Sequence, residues 1–366
     1  MKKALCSFLA VMLAISFSAC KNDLPETTLQ FDDQAGKNEV EATTKTASSH
    51  QAATSGKEEA VNQKETSGKE GTTGKDGLCT PIDPTDIYLL RNDHISLKMA
   101  EYYQYSFLTD VEKEAYRRIR VAVLSYDSVV EVSELNLSMF RKQQIVECFL
   151  ADNPQYFWLS ESYGIDGKGN ICLSYCDGVN TDDSGYGNAD RSQIDERRKA
   201  FHQAVFEILS EIDPAASQYE KELAIHDYIT KTTSYEKTAE TNPFVNGTMD
   251  SAYNAYGVLV EKSGVCSGYT KAFQYLCYLV GINSNRVQGY SHIWNTVQIE
   301  GEWYQVDVTW DDPIDPYGNS GDGDHDYFNL TAAEMYKEHP RNIDSFYNYL
   351  KVPECTATKY SYVCQR

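Results

Sequence analysis

Long apolar runs, basic charge and, over one long stretch, aromatic residues are what this 366-residue chain lacks. Outside residues 4–17, no segment approaches the ~20 apolar residues that span a bilayer. Lys and Arg number 33 against 54 Asp and Glu, a formal charge of −21. Without residues 1–19, which hold Lys2 and Lys3, it moves to about −23. Such a chain repels nucleic acid and anionic lipid surfaces, so neither is an expected direct partner. Residues 21–84 hold a single aromatic side chain, Phe31. Thr, Ser, Gly, Lys, Glu and Gln dominate there, and Thr54-Ser55-Gly56-Lys57-Glu58 returns as Thr66-Ser67-Gly68-Lys69-Glu70. Too little apolar surface is present to offset the entropy of ordering, so residues 20–85 are expected to be a disordered stalk. Metal templates are incomplete as well. Asp322, Asp324 and Asp326 have the spacing that opens a calcium loop, but Tyr327 and Ala333 occupy its glycine and glutamate positions. Cys172-x-x-x-Cys176 lacks the second half of a zinc site. No metal is assigned, and no cofactor.

What is present begins with Met1-Lys2-Lys3, an apolar run from Ala4 to Phe17, and Ser18-Ala19-Cys20. That ending resembles a bacterial lipobox. The resemblance implies removal of residues 1–19, lipidation of Cys20 and an extracytoplasmic protein tethered to the cell membrane. An ordinary secretory signal that happens to meet a cysteine is the alternative, and Phe17 is its support.

Residues 86–366 exceed a minimal core and predict two packed parts, 86–212 and 213–345, with a C-terminal extension over 346–366. In the first, Thr109 and Glu112 have capping-box spacing, predicting a helix to about Leu124. Strands are expected over 128–132, 156–160 and 170–175, and helices over 137–150 and 191–208. The first part shows no chemistry. In the second, Ser217 and Glu220 cap a helix carrying His226, which reads as a hydrogen-bonded packing histidine. Ser251 to Glu261 reads as a short helix.

Ser263-Gly264-Val265-Cys266 comes next. Tyr269, Phe273, Leu276 and Leu279 follow at spacings of three and four, one apolar helical face ending at Gly281. Cys266 thus falls at the first turn, where unpaired N–H groups and the helix dipole favour a thiolate. Downstream, Tyr290–Ile299 and Glu302–Trp310 read as strands joined by Glu300-Gly301. A two-residue loop pairs Ile299 with Glu302 and makes His292 and Asp307 diagonal neighbours on one face. A slip of one residue would separate them. Both side chains are expected to be partly exposed in a cleft. That geometry permits a relay of nucleophile, base and orienting carboxylate, with a buried inert thiol as the alternative for Cys266.

Gly264-Val265-Cys266-Ser267-Gly268-Tyr269, Ser291-His292-Ile293-Trp294-Asn295 and Trp303-Tyr304-Gln305-Val306-Asp307-Val308-Thr309-Trp310 resemble the three core motifs of the bacterial transglutaminase-like superfamily. The resemblance covers roughly residues 217–340, with a weaker echo in Asp152–Trp158. It implies an α+β, papain-like or transglutaminase-like core with the cysteine helix packed on an antiparallel sheet, preceded by a smaller α/β part. It also implies Cys266 as nucleophile, His292 as base and Asp307 as orienting acid. Ile293 departs from the small residue that many members carry, and is expected to border and narrow the site. Glu338-His339 resembles a further family position, expected to be structural.

The expected function is an extracytoplasmic cysteine acyl transfer on protein or peptide amides, through a Cys266 thioester. The Cys266 N–H, and Tyr235 as a guess, are the oxyanion donors. Hydrolysis is slightly favoured over transglutamination. The alternative is a binding or scaffolding module that keeps the fold without the chemistry. Export permits disulfides, with Cys172/Cys176 and Cys355/Cys364 as candidate pairs and Cys277 left over.

Overall fold

The computed structural model describes residues 102–176, 191–242, 244–245, 248–249, 251–312, 324–342 and 349–362. The anticipated signal segment, Cys20, the stalk, Cys79, Asp322 and Cys364 lie outside the described residues. Everything described belongs to one compact unit.

Capping chemistry sets where the early helices start. After a single turn, α1 (Tyr103–Ser106), the capping box of Thr109 and Glu112 opens α2 (Asp110–Ser125). Ser138 accepts the Arg141 N–H and opens α3 (Met139–Asp152). Three strands follow the antiparallel order β1-β3-β2: β1 (Val129–Val130), β2 (Leu159–Ile165) and β3 (Ile171–Tyr175). β2 begins at Leu159 rather than near Tyr156, because Tyr156, Phe157 and Trp158 are drawn into an aromatic cluster with Phe149 and Phe201. Asp152, at the head of that stretch, accepts the N–H groups of Gln104 and Tyr105 and the Tyr116 hydroxyl. Its role is to fasten α1, and burial raises its carboxyl to about 7.

Cys172 and Cys176, a candidate pair, are not joined to each other by a disulfide. Four residues of extended chain separate their Cα atoms by about 13 Å. A disulfide tolerates about 7 Å at most.

The long helix α4 (Arg191–Ser210) leads to α5 (Gln218–Thr232), opened by the Ser217–Glu220 capping box. Then come β4 (Ser234–Tyr235), α6 (Lys237–Thr241) and the small hairpin of β5 (Phe244–Val245) and β6 (Thr248–Met249). Ser251–Glu261 is not the regular helix expected. It is a 3₁₀ turn over Ser251–Tyr253 and a π-helical turn over Gly257–Glu261. The Asn254 side chain accepts the N–H groups of Tyr256 and Gly257, and a Cβ on Gly257 would lie 2.3 Å from the Ser251 carbonyl oxygen. Side chain and close approach together break the regular ladder.

β7 (Ser263–Gly264) pairs parallel with β4, and α7 (Cys266–Leu279) starts directly after it. The second sheet runs β10-β9-β8, from β8 (Asn283–Gln288), β9 (Ile293–Ile299) and β10 (Glu302–Val306), and α8 (Ala332–Met335) follows. The fold is α+β, with the cysteine helix packed against this antiparallel sheet. One hydrophobic cluster runs from Tyr102 to Leu350 and includes Tyr116, Phe149, Phe273 and Val297, so both halves of the chain feed the same core. Truncating one such ring to Ala costs about 3–5 kcal/mol. The first and last described segments also meet, where the Lys351 N–H and carbonyl bond the Gln104 side chain.

Candidate active site

Glycine is what lets α7 start where it does. A Cβ on Gly268 would sit 2.3 Å from the Ala252 carbonyl oxygen, and one on Gly264 2.5 Å from a Val258 methyl. The first turn therefore lies against the 252–254 backbone. Val265 N–H donates to Ala252 O, while Ser267 Oγ and Lys271 Nζ both donate to Tyr253 O, each at 3.0 Å. Cys266 is the first residue of the helix and is only partly buried.

The hairpin has the expected register. Ile299 stands opposite Glu302, with Glu300 and Gly301 at φ of 50° and 90°. Two successive positive φ values are what a type I′ loop requires. The second strand is shorter than its sequence suggests and ends at Val306. Asp307 ends it by accepting the Thr309 and Trp310 N–H groups on Oδ1, which curls the backbone into a turn closed by Asp311 N–H to Asp307 O. Its other oxygen, Oδ2, accepts His292 Nε2–H at 2.6 Å. The diagonal pair is therefore joined.

His292 spends Nε2 on Asp307 and leaves Nδ1 uncommitted among the described residues, and Cys266 is near enough to act on the charge of the ring. Burial disfavours the charged imidazole, but the Asp307 carboxylate and then Cys266 outweigh it and raise His292 to about 10. Burial likewise works against ionised Asp307, yet His292 and His339 hold its carboxyl well below the usual range. Asp307 is 1% exposed, not cleft-lining as expected, because both its oxygens are engaged; the His292 side chain is 18% exposed.

Tyr235 stands on β4 opposite Gly264, two residues before the cysteine. Burial first, then the charge of Cys266, pushes its phenol up, so it remains an O–H donor. Ile293 is buried, and its carbonyl accepts from Thr270 Oγ1 on α7, fastening the hairpin to the cysteine helix. Trp310, 37% exposed, and Tyr290, 53% exposed, flank the histidine and aspartate in sequence.

His339, expected to be structural, meets the His292 partner: its Nε2–H donates to the same Asp307 Oδ2 at 2.6 Å. Only the resemblance hinted at this, since 32 residues separate the partners and no local pattern links them.

His226 is the packing histidine anticipated. Fully buried, it reaches Asp311 Oδ2 through Nε2 at 3.0 Å and Asp227 Oδ1 through Nδ1 at 3.3 Å. Burial opposes its charge, but the two carboxylates raise it to about 9. His325 Nε2 also donates to Asp227 Oδ1, and Lys231 holds Oδ2. The three candidate ligands His226, Asp227 and His325 are thus engaged with one another and with a cation. Nearby, Asp324 Oδ1 accepts the Asp326 N–H.

Residues 207–308 match the family model of the transglutaminase-like superfamily. Over that stretch the chain is similar to this superfamily. The matched stretch runs from the end of α4 to one residue past Asp307, and it contains Cys266, His292 and Asp307. The kyphoscoliosis peptidase of Homo sapiens is 32% identical over 75 residues, 16% of this chain and 11% of that protein. Its Mus musculus counterpart is 31% identical over 75 residues, with the same coverage. The chain therefore spans about a tenth of the length of these relatives. Among solved structures, a TGase is similar at a TM-score of 0.27 and 15% identity, over 46% of this chain and 47% of that one. A Cytophaga hutchinsonii protein provisionally described as a cysteine protease gives 0.23 and 20%, over 36% and 45%.

Proposed function

We propose that the protein is an extracytoplasmic cysteine acyl-transfer enzyme, tethered through Cys20, that acts on protein or peptide amides through a Cys266 thioester. The observation that carries this reading is the state of the His292 ring: Nε2 is bonded to Asp307, while Nδ1 is left uncommitted among the described residues. An imidazolium held by a buried carboxylate favours negative charge on the neighbouring sulfur. Cys266 Sγ attacks the carbonyl carbon, and the oxyanion meets the Cys266 N–H and the Tyr235 hydroxyl. The C–N bond breaks as His292 passes its proton to the leaving nitrogen, leaving the thioester. Water then attacks, His292 accepts its proton, and the C–S bond breaks to release acid and regenerate the pair. An amine in place of water gives cross-linking.

Partial exposure of Cys266 and His292 supports water as the acceptor. The exposed rings of Tyr290 and Trp310 suit a peptide, since aromatic side chains give contact area at low entropic cost. Incubating the mature chain with glutamine-containing peptides, with and without a primary amine, tests this by intact mass. Cleavage or deamidation that disappears in Cys266→Ala is expected, with amine adducts as the minor product. No Cys266-dependent product with any peptide would return the reading to a binding or scaffolding module.

A further inference from the structure

We infer that His339 is a positioning residue for this chemistry: it fixes Asp307 against His292 and draws off part of the carboxylate's charge. The inference rests on the proposed Cys266–His292 reaction, and it concerns a residue beyond the stretch that matches the family model. Two imidazole N–H groups converge on one oxygen, Asp307 Oδ2, each at 2.6 Å. The His339 side chain is fully buried, and its Nδ1 has no hydrogen-bond partner. Leaving that nitrogen buried and unpaired is destabilising, and an apolar ring would fill the space without it. What an apolar ring cannot supply is the Nε2–H at Asp307.

The surroundings fix that N–H in place. Trp310 lies over the His339 ring at 4.0 Å between centroids, with Tyr327 at 4.9 Å and Trp294 at 5.3 Å. The backbone is pinned beside the base. Gly289 pairs with Arg341, Asn342 N–H donates to Gln288 O, and Gly289 N–H donates to His292 O at 2.8 Å. His292 and His339 are thus carried by two chain segments that bond each other, with Asp307 between their rings.

Sharing an oxygen has a direction. A carboxylate that accepts two donors pulls less on either than one that accepts a single donor. With His339 removed, the full charge of Asp307 falls on His292, which then surrenders its proton less readily. The other ionisable groups acting on Asp307 are Tyr235, Tyr327 and Asp311, the last paired with His226. Glu338 faces Tyr327. None of these changes in a His339 variant.

The test compares the mature chain with His339→Phe and His339→Gln. Alkylation of Cys266 by iodoacetamide is followed from about pH 5 to about pH 11, across the range where a histidine and a cysteine titrate. Turnover of a peptide substrate is measured alongside. His339→Phe is expected to lower kcat about tenfold with KM unchanged, and to move the alkaline step of the alkylation profile upward. His339→Gln, whose amide N–H reaches the place of the imidazole Nε2–H, is expected to restore most of both. If both variants melt early while kcat and the alkaline step stay at wild-type values, His339 is structural and the inference is overturned. Wild-type Cys266 that reacts only in the range of an ordinary thiol would remove the proposed function, and the inference with it. That failure is visible before any variant is made.

Discussion

Two His–Asp–His clusters lie at the two ends of one short turn, Asp307 to Asp311. In each, two imidazole nitrogens meet a single carboxylate oxygen: His292 and His339 on Asp307, His226 and His325 on Asp227. The second nitrogen of the central histidine separates them. His226 gives it to Asp311, so the ring is a buried cation between two acids and has nothing left for a nucleophile. His292 leaves its second nitrogen uncommitted among the described residues, and part of its ring stays open to solvent. Similar donor sets are inert in one place and poised in the other, according to whether one ring position remains uncommitted.

Breaking the poised cluster gives the largest expected effect. Asp307→Asn should lower turnover on the order of a thousandfold, because an amide cannot stabilise the imidazolium. Adding it to Cys266→Ala should cost nothing further, since the residues act as a unit. Because Asp307 is buried with four donors, the substitution should also lower unfolding free energy, by about 2–3 kcal/mol. Urea denaturation reads that loss.

Breaking the inert cluster should do the reverse. His226→Phe leaves Asp311 and Asp227 without their shared cation and should cost about 3–5 kcal/mol. The folded fraction should still alkylate at Cys266 as fast as wild type. A slowed Cys266 at full folding would mean that the clusters are coupled through the turn.

A milder handle is pH. Folding raises both His226 and His292, to about 9 and about 10. For a raised pKa the stability gained is complete below the unfolded value of about 6.5 and is lost as pH rises through the folded one. Urea midpoints should therefore fall between about pH 6.5 and about pH 10. His226→Phe should about halve the slope below about pH 9, and His292→Gln should remove the other half together with the part from about pH 9 to about pH 10. The smallest effect is expected from Gly268→Ala, whose Cβ meets the Ala252 carbonyl oxygen. It should cost about 1–3 kcal/mol and slow Cys266 alkylation by displacing the first turn.

The sequence made the poised cluster legible because its parts obey local rules. Cys266 heads an amphipathic helix, and Glu300-Gly301 dictates a register that carries His292 to Asp307. What escaped reading depends on distant partners. β8 spells Asn283-Ser284-Asn285-Arg286-Val287-Gln288, too polar to suggest a buried strand. It is buried because Arg286 meets Glu147 and Glu161, Asn285 meets Gln104, and Ser284 meets the Thr296 carbonyl. His339 escaped for the same reason. The irregular Ser251–Glu261 turns follow from one asparagine side chain and one close backbone approach, neither of which periodicity registers. The burial of Asp307 depends on four donors, two of them the His292 and His339 rings, and strand alternation does not register them.

The central claim is that His292, held by Asp307, primes Cys266. Brief alkylation of the folded protein near pH 6, with the labelled cysteines mapped by mass, tests it most directly. Wild type should label at Cys266 while the buried thiols Cys148, Cys277 and Cys355 stay unlabelled, and His292→Gln should slow Cys266 on the order of a hundredfold. Equal Cys266 rates in wild type and His292→Gln would contradict the account.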